Sequence, residues 1–513
     1  MKLVDKTILN ILAKSCNAFL LLLSSVVMVR HFAKNDYGTF LQVMLIVNTT
    51  MLLGLLGAPQ SIYYFYHRTV NQAGFIAQTV MISLALGLAC ALIIYFMMDV
   101  FALWLNNPDI TNYAYVASAM IFFRGASQFR EPLLISEGSL VLNSWLTVIC
   151  GLFFYLPVII GPFFFNMVSI LIKLMSIGCA VEFLIYMITS WKLFMSKKGI
   201  YQHDKLEVSD HGKPSLKEQL LYALPIGASS YLGVIGKQID QYIVSAFFLP
   251  ADFAVYSRGA LRVPVLSNFQ LIINNILMPQ YVNAYSSGNI GSFLGIFHRS
   301  IEKVAKIKYP AFAFLFALAP SLITLLYTNA YANAIPILQA YLILLLTTVT
   351  VYGIVPRASG KTLCISCATV ISIFGNIAIS LLLLPKFGPL GAALGTVLSS
   401  ILGGLYLLVQ SCKILGVSFK DIFPWKYLGK LLLISFTSSL PLYIMQSAIA
   451  VQGIKLAALL GLEAISYSYI YLLLMMKYAL ISIDDMEILS RWLRIDLKKW
   501  LPKVTFCRYF DQK

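Results

Sequence analysis

Long apolar runs without a charged residue constrain this chain more than any other feature of its sequence. Residues 75–97, 310–327 and 335–351 contain no charged side chain, and a helix needs roughly 20 mostly apolar residues to cross about 30 Å of hydrocarbon. Of the 513 residues, 59% are hydrophobic and only 12% are charged, about half the charged share of an average soluble domain. No alternating pattern typical of membrane barrels competes with these runs. The sequence therefore predicts an all-α, polytopic membrane protein.

Polar breaks divide this apolar sequence into about fourteen predicted transmembrane helices. Such breaks include Asn-Asn-Pro-Asp at 106–109 and Gly-Pro at 388–389. The opening segment, 7–29, is too long for the core of a secretory signal and is interpreted as the first membrane helix. The longest polar stretch, 197–217, leaves no room for a soluble domain. The predicted spans are 7–30, 38–58, 74–98, 112–135, 139–160, 167–191, 218–248, 252–284, 304–328, 333–353, 363–384, 389–411, 426–447 and 453–476.

Lysine and arginine collect on one side of this predicted topology, as cytoplasmic loops do under the positive-inside rule. With the N-terminus inside, the basic segments 197–217 and 481–513 are cytoplasmic, and Arg130 and Lys308 are assigned to inward loops. The outward loops hold little beyond three lysines. This asymmetry favours an even number of spans with both termini cytoplasmic. It also accounts for the formal net charge of +17, so no nucleic-acid partner is expected. The three outward lysines are Lys34, Lys386 and Lys455.

Two segments at the outer ends of odd-numbered predicted helices are similar at a shift of about 216 residues. Residues 32–40 (Phe-Ala-Lys-Asn-Asp-Tyr-Gly-Thr-Phe) align with residues 248–256 (Phe-Leu-Pro-Ala-Asp-Phe-Ala-Val-Tyr). Two parallel halves are a recurrent transporter plan, and chance similarity is the alternative. We expect an N-terminal six-helix bundle over 1–195, a cytoplasmic linker over 196–217, a C-terminal six-helix bundle over 218–411, two additional transmembrane helices over 412–480 and a basic cytoplasmic tail over 481–513.

Several motifs, taken in order along the chain, resemble those of the polysaccharide-transporter family. They are residues 29–40, residues 54–60 (Gly-Leu-Leu-Gly-Ala-Pro-Gln), residues 222–230, Gln-Ile-Asp at 238–240, residues 252–257 and Gly-Pro-Leu-Gly-Ala-Ala at 388–393. This family contains the Wzx-type flippases of lipid-linked oligosaccharides and belongs to the multidrug/oligosaccharidyl-lipid/polysaccharide exporter superfamily.

The resemblance implies two six-helix bundles around a central cavity in the bacterial cytoplasmic (inner) membrane. It implies that the substrate is a polyprenyl-diphosphate-linked oligosaccharide, used for surface polysaccharide or lipopolysaccharide O-antigen biosynthesis. It also implies that a polysaccharide polymerase and a chain-length regulator are candidate protein partners.

The charged side chains within the predicted spans are mainly basic. Ionisable groups at membrane depth are costly and usually face a cavity or a partner. Arg258 and Arg262 are four residues apart, so they share one face of a helix, and the planar arginine fork suits a phosphate. We therefore expect a cationic cavity that attracts a diphosphate. Its candidate residues are Arg258, Arg262, Lys237, Lys14, Lys173, Arg30 and Arg124.

These residues also have purely structural interpretations. Arg30, Arg124 and Lys14 could extend to the membrane interface, and Lys237 could neutralise Asp240. Asp240 and Glu182 are the candidates for ion coupling, with a structural ion pair as the alternative. The sequence has no phosphate-binding loop of an ATPase. No catalytic residue, cofactor or metal site is expected, because the cysteines and histidines lack convincing ligand spacing.

These features favour a flippase that works by alternating access over an enzyme. An ion-coupled drug or metabolite exporter of the same fold is the alternative, but its cavity would favour acidic residues. A membrane glycan polymerase is less favoured, because the predicted outward loops are mostly short. Pro225, in the predicted seventh helix, is a candidate bending point, with static packing as the alternative.

Overall fold

The computed structural model describes residues 3–198, 214–261, 264–448, 454–478 and 480. These residues form helices joined by short turns, and no strand occurs among them. Ten helices in this part of the chain are long and apolar enough to cross a membrane. The helices are α1 (Leu3–His31), α2 (Lys34–Gly54), α3 (Ala58–Phe65), α4 (Gln72–Trp104), α5 (Ala114–Ala126), α6 (Arg130–Ser136), α7 (Leu140–Ile160), α8 (Val168–Lys197), α9 (Leu216–Phe247), α10 (Pro250–Gly259), α11 (Pro264–Ser286), α12 (Ile290–Tyr327), α13 (Ala334–Thr347), α14 (Ile354–Ala358), α15 (Leu363–Phe387), α16 (Pro389–Leu415), α17 (Trp425–Ala448) and α18 (Ile454–Lys477).

Helices occur at the positions of the predicted spans, so the predicted all-α fold is confirmed, while the count of fourteen stays a prediction. The main differences are breaks within the predicted spans 38–58, 112–135, 252–284 and 333–353. The first break has a clear cause, because Leu56 and Gly57 adopt positive φ angles of 50° and 70°. Glycine accepts such a conformation without a steric penalty, and the chain restarts there as α3.

The chain divides into two compact units. Unit 1 contains Met1–Arg258 and Thr369–Ser399, and unit 2 contains Gly259–Ala368 and Ser400–Lys513. The six-helix bundles are predicted from the sequence repeat and the topology, whereas these units are defined by contacts between residues. The predicted bundle boundaries therefore stay a prediction. Most of the predicted linker 196–217, the whole predicted tail 481–513 and Arg262 lie outside the described residues.

The two repeat segments have the same local geometry in unit 1. Helix α1 ends at His31 and α2 begins at Lys34, whereas α9 ends at Phe247 and α10 begins at Pro250. Both junctions therefore have the same length at the predicted shift. The segments also touch each other, because a Cβ atom at Gly38 would overlap the backbone of Pro250.

Helix α9 packs against α2 and α3 along much of its length. At the break between α2 and α3, Gly57 lies so close to Gly227 that neither backbone leaves room for a Cβ atom of the other. Polar side chains join the same helices on both sides of this contact. Towards the start of α2, Gln42 donates to Ser245 at 2.7 Å, and Gln219 near the start of α9 donates to Ser61 at 3.0 Å.

In unit 2, helix α18 supplies hydrogen-bond donors to a proline-containing stretch of α12. Pro310 has no N–H to bond the carbonyl of Lys306, one turn earlier. The hydroxyl of Tyr471 donates to that carbonyl at 2.9 Å. Tyr467, one turn before Tyr471, donates to the carbonyl of Pro310 at 2.9 Å. The two tyrosines therefore support α12 where its own bonding pattern is interrupted.

A buried lysine connects α12 to the break between α13 and α14. Lys308 is 1% exposed, and its ammonium donates to Gln270 and to both the carbonyl and the hydroxyl of Thr348. Gln270 in turn donates to the carbonyl of Thr350. Buried backbone acceptors must find internal donors, and these side chains provide them for the carbonyls of Thr348 and Thr350. Lys308 therefore lies inside α12 rather than in a loop, and its predicted place on the inward side stays a prediction.

Candidate functional site

Unit 1 contains a cavity of about 330 Å³, here called the large cavity. Helices α1, α2, α5, α7, α9 and α10 all contribute to its wall. Among the described residues that line it, two are arginines, Arg124 and Arg258, and none is a carboxylate. The remaining lining combines apolar side chains with neutral polar ones. The neutral polar residues include Ser24, Ser25, Asn48, Gln238, Gln241 and Ser257.

Arg258 lies in the last turn of α10, the helix that carries most of the second repeat segment. Its guanidinium carbon is 5.5 Å from the ring centre of Tyr37, which lies in the first repeat segment. A cation above an aromatic face is stabilised by the ring quadrupole, more strongly where water is excluded. Tyr37 is itself buried, so the packing of the two segments holds Arg258 at the cavity wall.

Arg124 enters the same cavity from α5. Its guanidinium carbon is 3.9 Å from the ring centre of Phe154 on α7, and Tyr155 lies beside it on the same cavity wall. The Nε atom of Arg124 is 3.8 Å from the carboxylate of Glu182 on α8. That distance is too long for a good hydrogen bond, so the carboxylate offsets the positive charge without occupying the arginine fork.

A second cavity of about 160 Å³, here called the small cavity, shares Arg124, Phe154 and Tyr155 with the large one. Its described lining contains two arginines and two carboxylates. Arg124 and Arg130 flank Glu182, with Arg130 Nη1 at 3.6 Å from the carboxylate. The other carboxylate, Glu131, accepts a 2.7 Å bond from an exposed lysine, Lys14.

The structure thus brings together part of the predicted site. Arg258, Arg124 and Glu182 line the cavities, and Lys14 pairs with a residue that lines the small one. Asp240 is buried and accepts a 2.7 Å bond from Tyr256. Three predicted cavity residues are exposed and line neither cavity, and their predicted roles stay predictions; they are Arg30, Lys173 and Lys237. Arg262 lies outside the described residues.

Sequence reasoning missed the most buried arginine of the site. Arg130 was expected in an inward loop, but its side chain is only 9% exposed, and Nη1 lies 2.8 Å from the sulfur of Cys150. A signal was available, because Arg124, Arg130 and Glu131 all fall within the predicted span 112–135. Three charges in one apolar span are rarely placed against lipid.

Comparisons with known proteins agree on family and fold. The sequence model of a family described as polysaccharide biosynthesis protein matches residues 27–336. Among curated proteins, no sequence matches this chain. The fold is similar to that of the lipid II flippase MurJ in an inward closed conformation, with a TM-score of 0.69 and 14% identity over 92% of this chain and 98% of that one.

Two further solved structures share the fold. A multidrug resistance MATE family transporter of the MOP superfamily, in an inward-facing conformation, has a TM-score of 0.57 and 14% identity over 78% of this chain and 96% of that one. A MOP superfamily transporter from Pyrococcus furiosus Vc1 has a TM-score of 0.54 and 14% identity over 81% of this chain and 96% of that one.

Proposed function

Because the chain belongs to the family of polysaccharide biosynthesis proteins, we propose that it is a flippase for lipid-linked oligosaccharides. Its substrate is a polyprenyl-diphosphate-linked repeat unit, which it moves across the bacterial cytoplasmic membrane by alternating access. The product supplies surface polysaccharide or O-antigen synthesis on the outer side, where a polymerase and a chain-length regulator act. The fold shared with a lipid II flippase supports the proposal by analogy only.

One observation carries the proposal, namely the charge of the large cavity. The described residues of its wall include Arg124 and Arg258 and no carboxylate. A diphosphate brings negative charge and several acceptor oxygens, which guanidinium groups bind through paired hydrogen bonds. The mixed apolar wall keeps the local dielectric low, which strengthens that attraction. A cationic drug would meet repulsion in the same place.

Asp240 and Glu182 are the candidates for coupling transport to an ion gradient. Asp240 is buried beside Tyr256, and Glu182 lies between two arginines. A change of protonation or ion occupancy at either carboxylate would alter the charge around it, which is what a coupling residue must do.

The test measures transport by the purified protein in liposomes that contain undecaprenyl diphosphate bearing one N-acetylhexosamine. Arg258→Gln is expected to slow transfer between the leaflets about ten-fold or more, because a lost charged hydrogen bond weakens binding by about 1.5–3 kcal/mol. Arg258→Lys keeps the charge and should retain part of the rate. The control is Lys192→Gln, which should leave the rate unchanged, because Lys192 is an exposed residue of α8 that lines neither cavity.

In cells, deletion of the gene should cause the lipid-linked oligosaccharide to accumulate on the inner leaflet. Normal surface polysaccharide after deletion, together with efflux of a cationic dye by the wild type, would replace the flippase proposal with the drug-exporter alternative.

A further inference from the structure

The two cavities differ in charge although they share part of one wall. The described lining of the large cavity has two arginines and no carboxylate, whereas that of the small cavity has two arginines balanced by Glu131 and Glu182. An anion is therefore attracted to the large cavity. In the small cavity, the carboxylates oppose a phosphate but can accept hydrogen bonds from hydroxyl or amide groups.

The small cavity also has hydrogen-bonding groups that the protein leaves unused. Arg130 is 8% exposed, and its Nε atom has no hydrogen-bond partner among the described residues. The Oδ1 atom of Asn17, on the same wall, is a buried acceptor that is likewise unpartnered in the described part of the chain. Buried donors and acceptors normally find a partner, so this wall contains one donor and one acceptor whose hydrogen bonds the described residues do not supply.

The volume of the small cavity limits the size of the ligand that it can hold. A volume of about 160 Å³ holds roughly five water molecules at about 30 Å³ each, which is the scale of one six-membered ring rather than of an oligosaccharide. A sugar ring presents hydroxyl groups that both donate and accept, which matches the mixture of donors and acceptors on this wall. Gln128, Thr147 and Ser127 add neutral polar groups to the lining.

We propose that the small cavity is the glycan subsite, which holds the sugar next to the diphosphate while the diphosphate occupies the large cavity. The inference rests on the proposed function, since it divides one substrate between two adjoining cavities. Arg124 lies on the wall of both and so contacts the junction between phosphate and sugar. Glu182, Arg130, Asn17 and Gln128 are the residues that select the sugar.

Two glutamines allow a matched test, because each is half-buried and lines only one cavity. Gln128 lines the small cavity and Gln241 lines the large one. Replacing either with alanine removes a neutral side chain without leaving a buried charge unpaired. The probes are undecaprenyl diphosphate alone and the same lipid bearing one N-acetylhexosamine. Binding of each probe to the purified full chain in detergent is measured by native mass spectrometry.

Gln128→Ala should weaken binding of the sugar-bearing lipid about five- to ten-fold, as expected for one or two lost neutral hydrogen bonds, and leave binding of undecaprenyl diphosphate unchanged. Gln241→Ala should change both affinities by the same factor. Glu182→Gln should reduce the preference for the sugar-bearing lipid and increase affinity for undecaprenyl diphosphate, because it removes a carboxylate beside Arg124.

Equal effects of Gln128→Ala on the two probes would overturn the glycan subsite and leave the flippase proposal standing. If the wild type bound neither probe, the flippase proposal itself would fail. Thermal unfolding of every variant should match the wild type, which separates loss of binding from loss of fold.

Discussion

At the scale of single residues, Lys308 shows how a cation is accommodated in the buried interior of the protein. All its bonds to the described residues go to neutral acceptors, supplied by Gln270 and Thr348. A buried charge is tolerated when it is fully hydrogen-bonded and is strongly destabilising when a partner is removed. Gln270 has two roles, because it accepts a hydrogen bond from Lys308 and donates one to the carbonyl of Thr350.

Gln270→Leu should lower the free energy of unfolding by about 3 kcal/mol, because it removes one acceptor from a buried ammonium and one donor from a buried carbonyl. The measurement is unfolding of the detergent-solubilised protein by heat or denaturant. Gln270→Leu combined with Lys308→Met should cost less than Gln270→Leu alone, because the poorly satisfied charge is then gone. A double variant less stable than Gln270→Leu would show that the charge itself is favourable there.

Residue-level prediction could use local sequence patterns but not tertiary contacts. Arg258 could be placed in a cavity because it lies inside a predicted span and has no acid at helical spacing. Arg130 and Lys308 were assigned to loops because the positive-inside rule counts basic residues near span ends and is blind to burial. Glu182 on α8 lies between Arg124 on α5 and Arg130 on α6. Sequence spacing could not predict this contact, because the three residues lie on three different helices.

At the scale of helices, α18 has a definite role in supporting the proline-containing stretch of α12. Tyr471→Phe should destabilise the protein by about 1 kcal/mol, because the carbonyl of Lys306 loses the donor that replaces the missing N–H of Pro310. Tyr469→Phe is the matched control, since Tyr469 lies on the same helix and is exposed. The two variants are compared by thermal unfolding, and equal effects would mean that the Tyr471 hydroxyl contributes nothing.

Pro225 lies inside α9, two residues before the glycine that packs against the break between α2 and α3. Pro225→Ala restores a backbone N–H and stiffens the helix at this contact. We expect roughly three-fold slower transport or more with near-normal expression, as for a hinge residue. Pro385→Ala, near the end of α15, should leave the rate unchanged. Transport by Pro225→Ala at the wild-type rate would favour static packing.

Most helix positions could be predicted because apolar length alone defines a membrane span. The breaks could not, since they depend on details such as the positive φ angles of Leu56 and Gly57 and the side chains that satisfy the interrupted backbone at Thr348 and Thr350. Apolar content continues through both breaks, so the sequence pattern does not reveal them.

At the scale of the whole molecule, the distribution of basic residues predicts the orientation in the membrane. In a chain whose eight cysteines are replaced, Lys386→Cys should react with a membrane-impermeant maleimide added to intact cells. Lys361→Cys should react only after the inner membrane is permeabilised, because its loop is predicted to be cytoplasmic. Both positions are exposed. The reverse pattern would invert the topology and place both termini outside.

The contact between Gly38 and Pro250 makes the two repeat segments unequal partners. In the proposed alignment Gly38 corresponds to Ala254 and Pro250 corresponds to Lys34, so the contact joins two positions that do not correspond. Position 38 leaves the space that the backbone at position 250 fills. Replacing residues 32–40 with the sequence of residues 248–256 would put an alanine side chain into that space and should destabilise the protein, whereas the reverse exchange keeps a glycine at position 38.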